Sequence, residues 1–142
     1  MQKEIRKFRF GDKELMKVSN TIRRKVFIEE QKVDPEIEYE FEEEGNYYLL
    51  YLDDKPVATA RWRQTPQGIK LERFAMLKQY RYKGLGAILL KEVLVDVLKP
   101  GQLVYLHAQL KAVNYYKRAG FEPVGNNFFE ADIEHIRMEM RG

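Results

Sequence analysis

Cysteine is absent from the 142-residue chain, which excludes a disulfide framework, a thiolate nucleophile and a cysteine metal site. Histidine occurs only at His107 and His135. A metal would need a third and fourth ligand at suitable spacing, so no metal is expected, and His135 reads as a packed or hydrogen-bonded structural residue. No hydrophobic run reaches the roughly 18 residues needed to cross a bilayer. Met1 to Phe10 alternates charged and apolar residues and lacks the apolar stretch of a secretory signal. These absences point to the cytoplasm and away from the membrane. Charge of one sign is scarce as well. The 25 Lys and Arg face 22 Asp and Glu for a net charge of +3, without the concentrated basic face of a nucleic-acid binder.

The chain does contain eight Phe, nine Tyr and one Trp, too many for a solvating, disordered polymer. Its length fits one domain, residues 1–142, with a single core. The charges are segregated. Glu36, Glu38, Glu40, Glu42, Glu43 and Glu44 form an acidic run, whereas Arg73, Lys78, Arg81 and Lys83 gather near two glycines. The segregation suggests two ligands of opposite sign, an anion at the basic cluster and a cation at the acidic one.

Periodicity gives the element order. Residues 3–9 alternate as a first strand. Asp12 can cap a helix with Leu15, Val18, Ile22 and Val26 on one face, and residues 32–45 read as a loop with a short helical piece. Strands follow at Tyr47–Leu52 and Val57–Arg63, separated by the turn Asp54-Lys55-Pro56. Pro66-Gln67-Gly68 turns into Ile69–Leu77, where alternation puts Ile69, Leu71, Arg73, Ala75 and Leu77 on one face and Glu72 opposite Arg73. Gly84–Leu98 reads as a buried helix, Leu103–Ala108 as a strand, and Ala112–Ala119 as a helix closed by Gly120. Strands at 121–124 and 128–140, the latter interrupted around Asp132, complete an α/β single domain. Its mixed, mostly antiparallel sheet has the order β-α-β-β-β-α-β-α-β-β, flanked by helices.

The segment Arg81-Tyr82-Lys83-Gly84-Leu85-Gly86-Ala87 follows a strand and opens a helix. The first helical turn leaves N–H groups unpaired with positive potential from the macrodipole, and the small residues let a ligand approach that backbone. Arg81 and Lys83 add charge, which suits a diphosphate. It is neither a P-loop, because no Lys-Ser or Lys-Thr follows the glycines, nor a dinucleotide fingerprint, because position 89 is Leu.

Arg81, Gly84 and Gly86 resemble the Arg/Gln-x-x-Gly-x-Gly/Ala loop of the GNAT superfamily of N-acetyltransferases. Tyr116, Gly120 and Phe121 resemble the Tyr-x-x-x-Gly-Phe that ends the family's next motif. The resemblance runs from about the first strand to the end of the chain. Val26-Phe27-Ile28-Glu29-Glu30-Gln31, His107-Ala108-Gln109 and Ile133-Glu134-His135-Ile136-Arg137-Met138 are similar to a narrower branch, the ElaA/YjcF-like proteins. The resemblance implies a GNAT-like fold and acetyl-coenzyme A as cosubstrate. Tyr82, Lys83, Gly84, Leu85, Gly86 and Ala87 would hold the diphosphate beside Arg81, and the main chain of Phe74, Ala75 and Met76 would pair with the pantetheine arm; Gln109 belongs to the same cofactor set. It further implies the Met76 N–H as oxyanion donor, Tyr116 as general acid and Glu72 as base. Glu29, Glu30 and Arg73 are the candidates for holding the acceptor, a small-molecule or peptide amine toward which the acidic run lends a cationic bias. A monomer or homodimer is expected. The rival reading is a domain that binds acyl-coenzyme A without turning it over.

Overall fold

The computed structural model describes residues 2–142. In chain order these form β1 (Lys3–Arg9), α1 (Lys13–Arg23), α2 (Pro35–Glu38), β2 (Asn46–Leu52), β3 (Lys55–Thr65) and β4 (Gly68–Met76). They continue as α3 (Leu85–Val97), β5 (Leu103–Gln109), α4 (Val113–Ala119), β6 (Glu122–Glu130) and β7 (Ile133–Arg141). One seven-stranded sheet, ordered β1-β2-β3-β4-β5-β7-β6, runs through the molecule. Every neighbouring pair is antiparallel except β4 and β5, which α3 connects as a parallel crossover. No helix of the described residues is long and apolar enough to cross a membrane.

Apolar side chains on both sheet faces dictate the layers. In β2, Tyr48, Leu50 and Leu52 pack on the α3 and α4 side with Leu89, Val93 and Val97, while Tyr47, Leu49 and Tyr51 pack on the α1 side with Met16, Ile22 and Val26. A central strand buried on both faces is apolar throughout. Asp12 caps α1, accepting from the Leu15 N–H at 3.1 Å. Beyond Arg23 the helix widens to a π-helical turn over Arg24–Glu30. Trp62 packs against the α3 side and donates its Nε1–H to the Tyr48 hydroxyl at 3.0 Å.

Three features depart from simple alternation. The β2–β3 turn falls on Asp53-Asp54, both at positive φ, rather than on Asp54-Lys55-Pro56. The interruption expected near Asp132 is a complete hairpin: Ala131 and Asp132 have φ of +51° and +61°, the mirror-image turn whose twist matches the flanking strands. The third lies in β4. Pairing with β3 runs Arg61 to Glu72 and then Thr59 to Ala75, so Ala60 faces two residues, Arg73 and Phe74. Arg73 takes the extra position at φ +58°, a β-bulge that resets the alternation. Leu71, Phe74 and Met76 therefore pack toward α3, and Ala75 and Leu77 toward α1. The expected single face from Ile69 to Leu77 is thereby broken in two.

Candidate active site

The bulge marks the place where the sheet opens. β4 and β5 are paired only over Ile69–Leu71 and Val104–Leu106; beyond these residues the strands separate into a fork. In an antiparallel pair, alternate residues turn their N–H and C=O toward the partner and away from it. The Leu77 N–H donates to the Val57 carbonyl at 2.9 Å, which places Leu77 and, two residues back, Ala75 on the β3-facing set. Phe74 and Met76 consequently aim their main-chain groups into the fork. Two of the three residues expected to pair with an extended ligand arm thus turn toward the fork, although the Met76 carbonyl is taken by Arg81; Ala75 has its amide turned to β3 and its side chain buried under α1.

Below the fork, Tyr82 and Gly84 adopt left-handed φ of +64° and +77°, and Gly84 caps α3 without any side-chain hydrogen bond. Successive amides in such a loop form a concavity for an anion, reinforced by the helix start. A Cβ on Gly84 would meet nothing within 4 Å, so the space over the loop is open. Gly86 serves a different purpose: its Cβ would lie 3.1 Å from the Tyr115 hydroxyl, so it lets α4 approach α3. Leu85 is buried in the core cluster and contributes only main chain. Tyr82 is fully exposed, and Ala87 borders a second, apolar groove between α3 and α4. The Arg81 guanidinium is turned away from this space. Its Nε donates to the Met76 carbonyl at 2.9 Å, and its terminal nitrogens clamp Glu30 at 2.9 and 3.0 Å. Arg81 braces the loop against β4 and the end of the α1 segment.

On the far side of the fork lies a cavity of about 420 Å³. From the sequence-derived set it collects Glu72, Arg73, Phe74, Gln109 and Tyr116, but not Met76, Glu29 or Glu30. Glu29 is exposed, 3.4 Å from Arg24, and Glu30 belongs to Arg81. Neither is placed to hold an acceptor. The cavity meets β4 at Phe74, and Met76, the expected oxyanion donor, lies two residues further along the same edge of the fork.

Tyr116 is half-buried on α4, edge-on to Tyr115 and Phe121 with ring centroids 5.1 and 6.0 Å away. Burial, and then the neighbouring Tyr115 phenol, push its hydroxyl above the usual phenol value, and neither a hydrogen bond nor an opposite charge counters this. The group stays protonated, as an acid must. Glu72 fares differently. Burial pushes its carboxyl up, but Arg61, Arg73, Lys70 and Arg63 together outweigh burial and hold it at about 2. Its Oε1 lies 2.6 Å from Arg61 and 2.7 Å from Arg63. A carboxylate so firmly ionised has little affinity for a proton, which counts against its expected role as base. Arg73 folds over α2, donating to the carbonyls of Glu38 and Ile37, each at 3.0 Å, and pairing with the Glu38 carboxylate at 3.2 Å. It fixes the cavity wall.

Two members of the acidic run are structural, and the other four are exposed. Glu38 pairs with fully buried Arg23, and Glu42 bridges Arg23 and Arg61 while accepting from the Tyr47 hydroxyl at 2.6 Å. What alternation could have indicated, and residue counting did not, is His107. Two residues before Gln109 on β5, it faces the cavity with Nδ1 3.0 Å from Glu130. Glu130 is held below the ordinary carboxylate value first by that hydrogen bond. His135 sits beside it, buried, with Nδ1 2.6 Å from the Ile133 carbonyl, and Gln109 donates to Gln31 at 2.9 Å across the cavity.

Comparison with known proteins agrees with this geometry. A family model described as an acetyltransferase (GNAT) domain matches residues 10–141. YjcF of Bacillus subtilis (strain 168), described as an uncharacterized N-acetyltransferase, is 35% identical over 130 residues, 89% of this chain and 93% of its own length. Escherichia coli ElaA superposes with a TM-score of 0.84 at 22% identity, over 99% of this chain and 100% of that one. A GNAT family acetyltransferase from Elizabethkingia anophelis with acetyl-CoA bound superposes with a TM-score of 0.71 at 13% identity, over 98% and 97% of the two chains. Fold and relatives define an acyltransferase that draws its acyl group from acyl-coenzyme A. The chain belongs to the GNAT acetyltransferase family, in the ElaA/YjcF-like branch.

Proposed function

We propose that this protein transfers an acetyl group from acetyl-coenzyme A to a primary amine by direct attack of the amine. The observation that carries the reading is the fork. The β4 edge at Phe74 and Met76 lies between the glycine-containing loop at residues 82–87 and a cavity lined by both Tyr116 and His107, the latter bound to the Glu130 carboxylate. When bound, acetyl-coenzyme A supplies an acyl carbon activated by its bond to sulfur. The residues present fit it: amides of Tyr82 to Ala87 for the diphosphate, and the edge of β4 for the two amides of the pantetheine arm, in the manner of an added strand.

Each remaining task falls to a side chain or amide of this protein. With Nδ1–H donated to Glu130, His107 keeps the Nε2 lone pair free to take, directly or through water, the proton that an ammonium acceptor must lose before its nitrogen can attack. The Phe74 N–H holds the carbonyl oxygen while the C–N bond forms and charge moves onto that oxygen. Tyr116 gives its proton to the sulfur as the C–S bond breaks, and is reprotonated, directly or through water, by the proton that the new amide nitrogen sheds.

Thiol release in a panel of amines tests the reaction. Cofactor binding by calorimetry without thiol release from any amine would replace the enzyme by a sensor of acyl-coenzyme A. His107→Gln is expected to lower kcat by about 100-fold while coenzyme A binding by calorimetry is unchanged. An unchanged kcat would remove His107 from the mechanism. Gly84→Val places a β-branched residue at a left-handed φ and a side chain in the open space above the loop. Calorimetry is expected to detect no coenzyme A binding to this variant, and a folded variant that binds like the wild type would refute the cradle.

A further inference from the structure

Arg63 and Lys70 stand directly opposite each other across β3 and β4, on the sheet face that bounds the cavity. Both side chains are largely removed from water, at 12% and 13% exposure. Like charges in directly opposed positions repel, and a desolvated cation needs an anion. Among the described residues, the one carboxylate in ion-pair range of either is Glu72, 2.7 Å from Arg63 Nε and 3.6 Å from Lys70 Nζ. That carboxylate is also claimed by Arg61 at 2.6 Å and Arg73 at 3.7 Å. Arg61 has a second partner in Glu42 and Arg73 in Glu38; Arg63 and Lys70 have none. The Arg63 guanidinium carbon lies 3.9 Å from the centre of the Phe41 ring, with only its Nε engaged in a hydrogen bond. Of the other acids lining the cavity, Glu130 is bound to His107 and feels the charge of Lys70 only from beyond ion-pair range, Glu38 is bound to Arg23 and Arg73, and Glu40 is exposed at the rim.

We propose that Arg63 and Lys70 form the binding site for a carboxylate carried by the acceptor amine. The inference rests on the amine-acetylating reading above. It reverses the cationic bias of the acidic run, whose Glu38 and Glu42 are spent on buried arginines. A guanidinium presents two parallel N–H groups that match a carboxylate, and Lys70 supplies a second charge from the facing strand. Lys70 precedes Phe74 by four positions on β4, one of them in the bulge, so at ~3.3 Å per residue the anion site lies roughly 10 Å along the strand from the reacting carbonyl. An acceptor spanning both has its amine and carboxylate several bonds apart, as in an ω-amino acid or a lysine side chain with a free carboxylate.

The test compares 6-aminohexanoate, hexylamine, 1,6-diaminohexane and 6-aminohexyl phosphate in the thiol-release assay, with hexanoate as a non-reacting probe of thermal stability. The expected kcat/KM for 6-aminohexanoate exceeds that for hexylamine by at least about 10-fold, one charged hydrogen-bonded contact. In Lys70→Met that ratio falls toward one through KM. The same variant is expected to melt higher than wild type without hexanoate, because one of two opposed charges is gone, and to lose the hexanoate-induced rise in Tm. Preference for the diamine or the phosphate, or a ratio near one in wild type, overturns the proposal. Should no amine release thiol, the hexanoate shift and its loss in Lys70→Met still decide on the anion site, and only the transferase reading fails.

Discussion

Glu72→Ala is expected to destabilise the protein by roughly 3–5 kcal/mol, the usual consequence of removing one partner from a buried ion pair. Arg61 has no exposure at all, and three of its hydrogen bonds reach Glu72 or Glu42. Without Glu72 it keeps only Glu42 and the Glu40 carbonyl, while Arg63 and Lys70 lose their shared anion and repel each other across the strands. Urea unfolding of the variant against the wild type measures the loss, and a change under about 1 kcal/mol would mean that water or a rearranged side chain already compensates these cations. A companion variant separates burial of charge from loss of shape. Glu72→Leu with Arg61→Met replaces the pair by apolar groups, which is often neutral or stabilising, so it is expected to recover much of what Glu72→Ala loses.

The same carboxylate gives stability a pH dependence of known sign. Its folded value, about 2, lies below the ordinary 4.5. The unfolded chain therefore binds a proton there before the native state does. The contribution of Glu72 is fully present above about pH 4.5 and disappears as pH falls toward 2. Glu72→Gln is expected to flatten the stability profile through that window; an unchanged slope would locate the acid sensitivity elsewhere.

The sequence carried the donor half of this site and little of the acceptor half, for identifiable physical reasons. Gly84 and Tyr116 act through local backbone and ring chemistry, so their spacing along the chain was informative. The fork depends on where pairing between β4 and β5 stops, a tertiary property that a three-residue register decides. The bulge at Arg73 places a non-glycine residue at positive φ, and nothing in Glu72-Arg73-Phe74 announces it. Strict alternation consequently put Leu71 and Ala75 together and set Glu72 against Arg73, whereas both line one cavity. Charged residues misled most. Glu30, Arg73, Glu38 and Glu42 resembled ligand contacts in a linear reading, yet each is consumed by a partner 15 to 51 positions away. The place of His107 in the site was hidden because its carboxylate partner is 23 positions downstream, next to the hairpin at Ala131-Asp132.

Tyr116→Phe is expected to reduce kcat by 10²- to 10³-fold, within the range of a lost general acid, while coenzyme A still binds within about threefold of wild type. The ring supplies the packing: it contacts Tyr115 and Phe121 edge-on, and phenylalanine preserves those contacts. The hydroxyl takes no hydrogen bond that folding would miss. What the substitution removes is a proton held where burial favours the neutral phenol, at the edge of a cavity that also meets Phe74 and His107. A departing thiolate with no proton donor must leave as an anion into a poorly solvated fork, so the loss should concentrate in the step after attack. An acyl donor with a more acidic thiol needs that proton less. The variant is therefore expected to recover a large part of its rate with a thioester of a low-pKa thiol, whereas the wild type gains little. Equal gains for both proteins would show that Tyr116 shapes the cavity without transferring a proton.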